Sequence, residues 1–108
     1  MQRNTKAKLH IADSWIGDFC SRWGVTELAF FGSVLRDDFG PDSDVDVLVS
    51  FSPKVDWSLL DHIRMEQELS QQLGRKVDLI TRRSIERGHN WILREEVLGT
   101  AEVIYGAG

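Results

Sequence analysis

Cysteine is nearly absent. Cys20 is the only one in 108 residues, which excludes an intrachain disulfide and argues against a cysteine-based zinc site. Basic residues are in deficit as well: 13 Lys and Arg stand against 17 Asp and Glu, a net charge of −4. Proteins that clamp phosphate backbones are usually basic, so direct binding of nucleic acid is not expected. Long apolar runs are also missing. The longest, Leu28 to Leu35, is broken by Gly32 and Ser33, whereas a membrane span needs roughly 18 consecutive apolar residues. The charged start of the chain is not followed by the apolar core of a secretory signal, because His10, Asp13 and Ser14 interrupt it. No internal repeat or low-complexity tract is visible. These absences together point to a reducing, cytoplasmic setting with no membrane partner.

What remains is the composition of a globular protein, 42% apolar and 28% charged. The length suits a single domain over residues 1–108 with one modest core. Ala12, Trp15, Ile16, Phe19, Cys20 and Trp23 recur at steps of three and four, the stripe of a helix, and Gly24 sits where a helix C-terminus favours positive φ. Cys20 lies on that stripe and reads as a core residue. Val25 to Phe31 reads as a strand, ending at Gly32-Ser33, with a helical turn over Val34-Leu35-Arg36. Gly40-Pro41-Asp42-Ser43 is turn chemistry. Asp44 to Phe51 alternates with period two, Val45, Val47, Val49 and Phe51 on one face and Asp44, Asp46, Leu48 and Ser50 on the other.

A helix is expected from Asp56 or Ser58 to Leu73, with Leu59, Leu60, Ile63, Leu69 and Leu73 as an interrupted stripe and Gly74 as its stop. Val77 to Ile80 reads as a third strand. Ser84 is the expected N-cap of a helix to about Leu98, stopped by Gly99, and Ala101 to Tyr105 is a last short strand or an extended tail. The order predicts an α/β (α+β) domain with a mixed sheet of three or four strands flanked by helices. Of the four tryptophans, Trp15 and Trp23 read as core, and Trp57 and Trp91 as interface candidates.

Charge is segregated along the chain. Residues 37–68 hold nine acids and two bases, and residues 69–94 hold six bases and two acids. The basic segment (Arg75, Lys76, Arg82, Arg83, Arg87, Arg94) reads as a solvated helix face, or as a patch for phosphates or an acidic partner.

Asp44 and Asp46 carry the functional argument. Aspartate is depleted in strands, and acids at i and i+2 point the same way with Cα atoms about 6.5–7 Å apart. Their repulsion calls for a cation, and Mg²⁺ takes one or two carboxylates with waters and phosphates around it. Turn chemistry explains Asp42 and Ser43 but not an acid inside a strand. A calcium loop starting at Asp42 fails, because its sixth position is Val47 instead of glycine and its twelfth is Pro53 instead of glutamate. Gly32-Ser33, at a strand end, exposes backbone N–H groups suited to an anion. Asp78, early in the third strand, reaches the same site if that strand neighbours Asp44–Phe51. There it would be a second-metal ligand or a base; otherwise it is a strand-start aspartate facing water.

Gly32-Ser33, ten residues, then Asp44-Val45-Asp46 resembles the G-S-x₁₀-D-x-D signature of the polymerase-β-like nucleotidyltransferase superfamily. The string GSVLRDDFGPDSDVDVLVSF is similar to its smallest members, the minimal nucleotidyltransferases (the MNT group). Arg36, Ser43 and Asp78 match further positions, and the resemblance runs from the first helix to Val103-Ile104-Tyr105. It implies the nucleotidyltransferase core fold and transfer of AMP from ATP to a hydroxyl with release of pyrophosphate. Asp44, Asp46 and Asp78 would be the catalytic and metal-binding acids, holding Mg²⁺ (two ions, or Mn²⁺ in its place). Gly32, Ser33, Arg36 and Ser43 would bind the nucleotide. It also implies a partner. Many such proteins are antitoxins that adenylylate a tyrosine of a HEPN ribonuclease toxin, in a hetero-oligomer with it. Asp37 and Asp38 depart from the pattern, placing negative charge where many relatives have glycine or smaller residues. Two other functions stay open, a non-catalytic antitoxin that blocks its partner sterically and a small-molecule nucleotidyltransferase.

Overall fold

The computed structural model describes residues 9, 11–32, 44–88 and 90–106. Helix α1 (Asp13–Trp23) leads into β1 (Val25–Phe31). Strand β2 (Val45–Phe51) is followed by α2 (Leu59–Leu73) and β3 (Val77–Thr81). Two short helices, α3 (Arg82–Arg87) and α4 (Trp91–Thr100), precede β4 (Glu102–Gly106). The sheet order is β3-β2-β1-β4. β1 is antiparallel to both its neighbours, and β2 is parallel to β3 through the α2 crossover. The expected mixed sheet is therefore present with four strands, and β2 is interior.

Alternation along the strands builds two cores. On one face Val45, Val47 and Val49 pack with Leu28 and Phe30, covered by Ile16, Phe19 and Cys20 of α1 and Met65, Leu69 and Leu73 of α2. On the other, Ala29, Phe31 and Leu48 pack with Ile85 of α3 and Val97 of α4. Burial pushes the Cys20 thiol up to about 12, so it stays protonated at neutral pH, as a core residue should. Gly24 and Gly74 close α1 and α2 in the left-handed conformation, each with φ 65°.

Four expectations need correction. The predicted helix from Ser84 is two helices, broken after Gly88, and its cap is Thr81, whose hydroxyl accepts from Ser84 N at 3.1 Å. Gly99 lies inside α4 instead of ending it. Ala12 is the exposed N-cap of α1, outside the buried stripe. On α2 the buried stripe is Met65, Leu69 and Leu73, while Leu59 and Leu60 are 75% and 70% exposed. Counting leucines misplaced that face, because the next stripe is polar and is spent on the sheet. Three residues at steps of four line the open edge of β3. His62 Nε2 lies 2.8 Å from Leu79 O, Glu66 Oε2 accepts from Leu79 N at 2.8 Å, and Ser70 Oγ accepts from Val77 N at 3.1 Å. Backbone groups that would otherwise template another strand are thus occupied.

Trp57 is also corrected. Its indole donates to Trp23 O at 2.7 Å and meets the Trp23 ring edge-on, so it fastens the β2–α2 connection to the end of α1. Trp91, at 60% exposed, remains on the surface.

Candidate active site

The second face of the sheet reads as three rows across β1, β2 and β3. The middle row is apolar: Ala29 is paired with Leu48, and Leu48 with Ile80. One row further along, Glu27 pairs with Ser50, and Arg82, just after β3, donates to Glu27 Oε1 at 2.7 Å. In the opposite direction lies a row of a different kind. Phe31 pairs with Asp46, and Asp46 with Asp78. Neighbouring strands are about 4.8 Å apart and residues in register share a face, so two half-buried carboxylates stand side by side.

β1 ends in this row, at Phe31, and is followed by Gly32. That residue has φ 77°, a conformation costly for a residue with a Cβ. A Cβ built there would run into the Asp46 carboxylate. Glycine is therefore required both by the turn and by the close approach of the acid. Asp44, one residue before β2, is half-buried at the same end.

The structure thus sets Asp46 and Asp78 side by side in register, with Gly32, just past the end of β1, against the Asp46 carboxylate and Asp44 at the adjoining strand end. Parallel pairing of β2 with β3 is what carries Asp78 there, as expected if the two strands are neighbours. Ser33, Arg36 and Ser43 lie outside the described residues, as do Asp37 and Asp38. Among the described residues no group of three His, Cys, Asp or Glu side chains is gathered closely enough to hold a metal ion. The donor set is instead paired carboxylates beside a glycine cradle. That set fits Mg²⁺, which takes hard oxygen ligands and uses one or two carboxylates together with substrate phosphates.

The basic segment is not one patch. Arg75 and Lys76 precede β3 at the carboxylate end, whereas Arg82, Arg83 and Arg87 lie beyond its other end. Arg82 is held by Glu27 and, at 3.7 Å, by Glu86. A hollow of about 520 Å³ opens there, lined by Ser50, Trp57, His62, Arg82 and Glu86 among others. Ser50 is four residue steps along the strand from Asp46, about 13 Å, so this hollow is not the carboxylate site. The stripe of His62, Glu66 and Ser70, which positions β3 and hence Asp78, went unread in the sequence. Its i, i+4, i+8 spacing is the signal that could have found it.

Comparison with known proteins identifies the family and the fold. Residues 13–102 match the nucleotidyltransferase domain family. The protein adenylyltransferase MntA of Thermococcus cleftensis is 43% identical over 77 residues, covering 70% of this chain and 76% of its own length. A solved structure described as a candidate minimal nucleotidyltransferase superposes with TM-score 0.64 at 34% identity, over 89% of this chain and 88% of that one. A toxin–antitoxin crystal structure with AMP-PNP superposes with TM-score 0.67 at 20% identity, over 89% and 74%, a likeness of fold. The chain belongs to the nucleotidyltransferase domain family and has its mixed, helix-flanked sheet. It is a nucleotidyltransferase of the minimal kind, similar to MntA. Among the described residues no helix is long and apolar enough to cross a membrane.

Proposed function

We propose that this chain transfers AMP from ATP to a hydroxyl, a tyrosine of a HEPN ribonuclease toxin, and so acts in the cytoplasm as that toxin's antitoxin. The observation that carries the reading is the register of Asp46 with Asp78 beside Gly32. Two acids side by side on a strand pair cost stability without a cation, and the divalent ion that accompanies a triphosphate supplies that positive charge.

Asp44 and Asp46 would hold Mg²⁺, with Asp78 as a further ligand or as the base. The ion's chemistry is to neutralise charge on the phosphoryl oxygens and on the departing pyrophosphate. Gly32 carries no Cβ to displace the Asp46 carboxylate, so that backbone and acid can face the triphosphate together. Ser33, Arg36 and Ser43 complete the nucleotide site. The acceptor oxygen forms a bond to the α-phosphorus, the bond from that phosphorus to the bridging oxygen breaks, and pyrophosphate leaves. Asp78 takes the hydroxyl proton. The relatedness to MntA and the fold shared with a toxin–antitoxin complex containing AMP-PNP support both the nucleotide and the class of partner.

The test is intact mass of the protein encoded beside this one, co-produced with it, with and without ATP and Mg²⁺. The expected result is a gain of AMP mass on a tyrosine peptide, lost in Asp44→Asn and in Asp46→Asn. Transfer surviving either change would overturn the metal assignment. Neutralisation by a triple Asp→Asn variant, with no adduct, would establish steric blocking instead.

A further inference from the structure

We infer that Lys76 is a contact for the nucleotide's phosphates, a role that rests on the proposed function above. Three observations place it. Val45 N donates to Lys76 O at 2.9 Å, which continues the β2–β3 ladder one residue before Val45 pairs with Val77. Carrying the register back sets Lys76 beside Asp44, as Asp78 stands beside Asp46. Side chains alternate along a strand, so Lys76 shares the face of Asp44, Asp46 and Asp78. The side chain is exposed, and among the described residues its ammonium has no hydrogen-bond or ion-pair partner.

The electrostatics give that ammonium a task. The far row of the same face sets Arg82 against Glu27 at 2.7 Å, which neutralises both. The near row stacks carboxylates, and a triphosphate arriving there is repelled by each of them. A lysine on the same face, with a flexible four-carbon stem and three donors, adds positive charge on the β3 side, across Asp46 from Gly32. Gly32 lies just past the end of β1 and Lys76 just before the start of β3, so the phosphates are approached from both sides of the acids.

The experiment is titration calorimetry of the purified chain with ATP in excess Mg²⁺ at moderate ionic strength. Lys76→Met should weaken ATP binding about tenfold, the range of a charge-assisted hydrogen bond at a partly solvated site. Lys76→Arg, which keeps the charge, should restore most of that loss. Lys54→Met removes the same charge beyond the opposite end of β2 and should leave binding unchanged. Since Lys76 is exposed, all variants should keep the wild-type thermal midpoint. Equal binding by wild type and Lys76→Met overturns the inference and leaves the proposed function standing. An equal loss in Lys54→Met shows only the protein's overall field and also overturns it. Failure of the wild-type chain to bind ATP with either Mg²⁺ or Mn²⁺ overturns the proposed function, and the inference with it.

Discussion

The two ends of one sheet face handle charge in opposite ways. At the Glu27–Ser50–Arg82 end an acid meets an arginine at 2.7 Å, and Glu86 adds a second carboxylate at 3.7 Å from the same guanidinium. At the Phe31–Asp46–Asp78 end two acids sit in register, with a glycine pressed against one of them. The apolar row of Ala29, Leu48 and Ile80 separates them, covered by α3 and α4. One end is built to fold and the other to bind. A pair of charges that satisfies itself contributes modest stability, whereas like charges held in register by a rigid sheet favour a cation beside them.

The largest effect that sharpens this contrast is expected from Asp78→Asn. Label transfer from α-labelled ATP should fall to background, while the thermal midpoint in metal-free buffer stays level or rises, because a like-charge neighbour is removed. A fall in the midpoint would mean that the acid supports the fold. Next in size is Gly32→Ala. A Cβ at φ 77° costs roughly 1–2 kcal/mol and must displace the Asp46 carboxylate, so denaturant midpoint and transfer should drop together. A variant with full transfer would break the link between the glycine and the acid.

At the other end, Glu27→Gln should cost no more than about 1 kcal/mol, since both partners are about a third exposed and solvent screens them. Transfer should be unchanged; its loss would merge the two ends into one site. Smallest is the cap of α2. The Ser58 backbone N–H and hydroxyl bonding to Asp61 hold its carboxyl below the usual carboxylate range. The folded pKa is the lower one, so this contribution is complete above the unfolded value, about 3.9, and disappears as pH falls through the folded value. Asp61→Asn should therefore lower the thermal midpoint slightly at neutral pH, and the difference should vanish in strong acid. A difference independent of pH would refute the capping box.

Legibility differed by element. β1, β2 and α1 were readable because each is marked by a strong period and a turn residue, and Gly24 and Gly74 announced their left-handed caps. The face of α2 was not, because Leu59 and Leu60 mimic core residues while His62, Glu66 and Ser70 do core work through hydrogen bonds that apolar counting ignores. The break between α3 and α4 was missed because Ser84 resembles a cap, and only the structure shows its amide bound to Thr81. At the candidate site Asp44 and Asp46 stood out as acids where a strand disfavours them. Lys76 did not, since a lysine among six bases of a polar segment carries no local signal.

The amino-acid order by itself determined that β1, β2 and β3 exist, which face of β2 carries the acids and that glycine must follow β1. Those are properties of a few consecutive residues, set by period and by backbone sterics. Tertiary structure alone decided that β3 lies parallel to β2 with Asp78 opposite Asp46, that Lys76 joins their face and that Arg82 is neutralised by Glu27. Each of these depends on strand pairing between residues far apart in the chain, which is settled by burying two cores at once and by α2 closing the edge of β3.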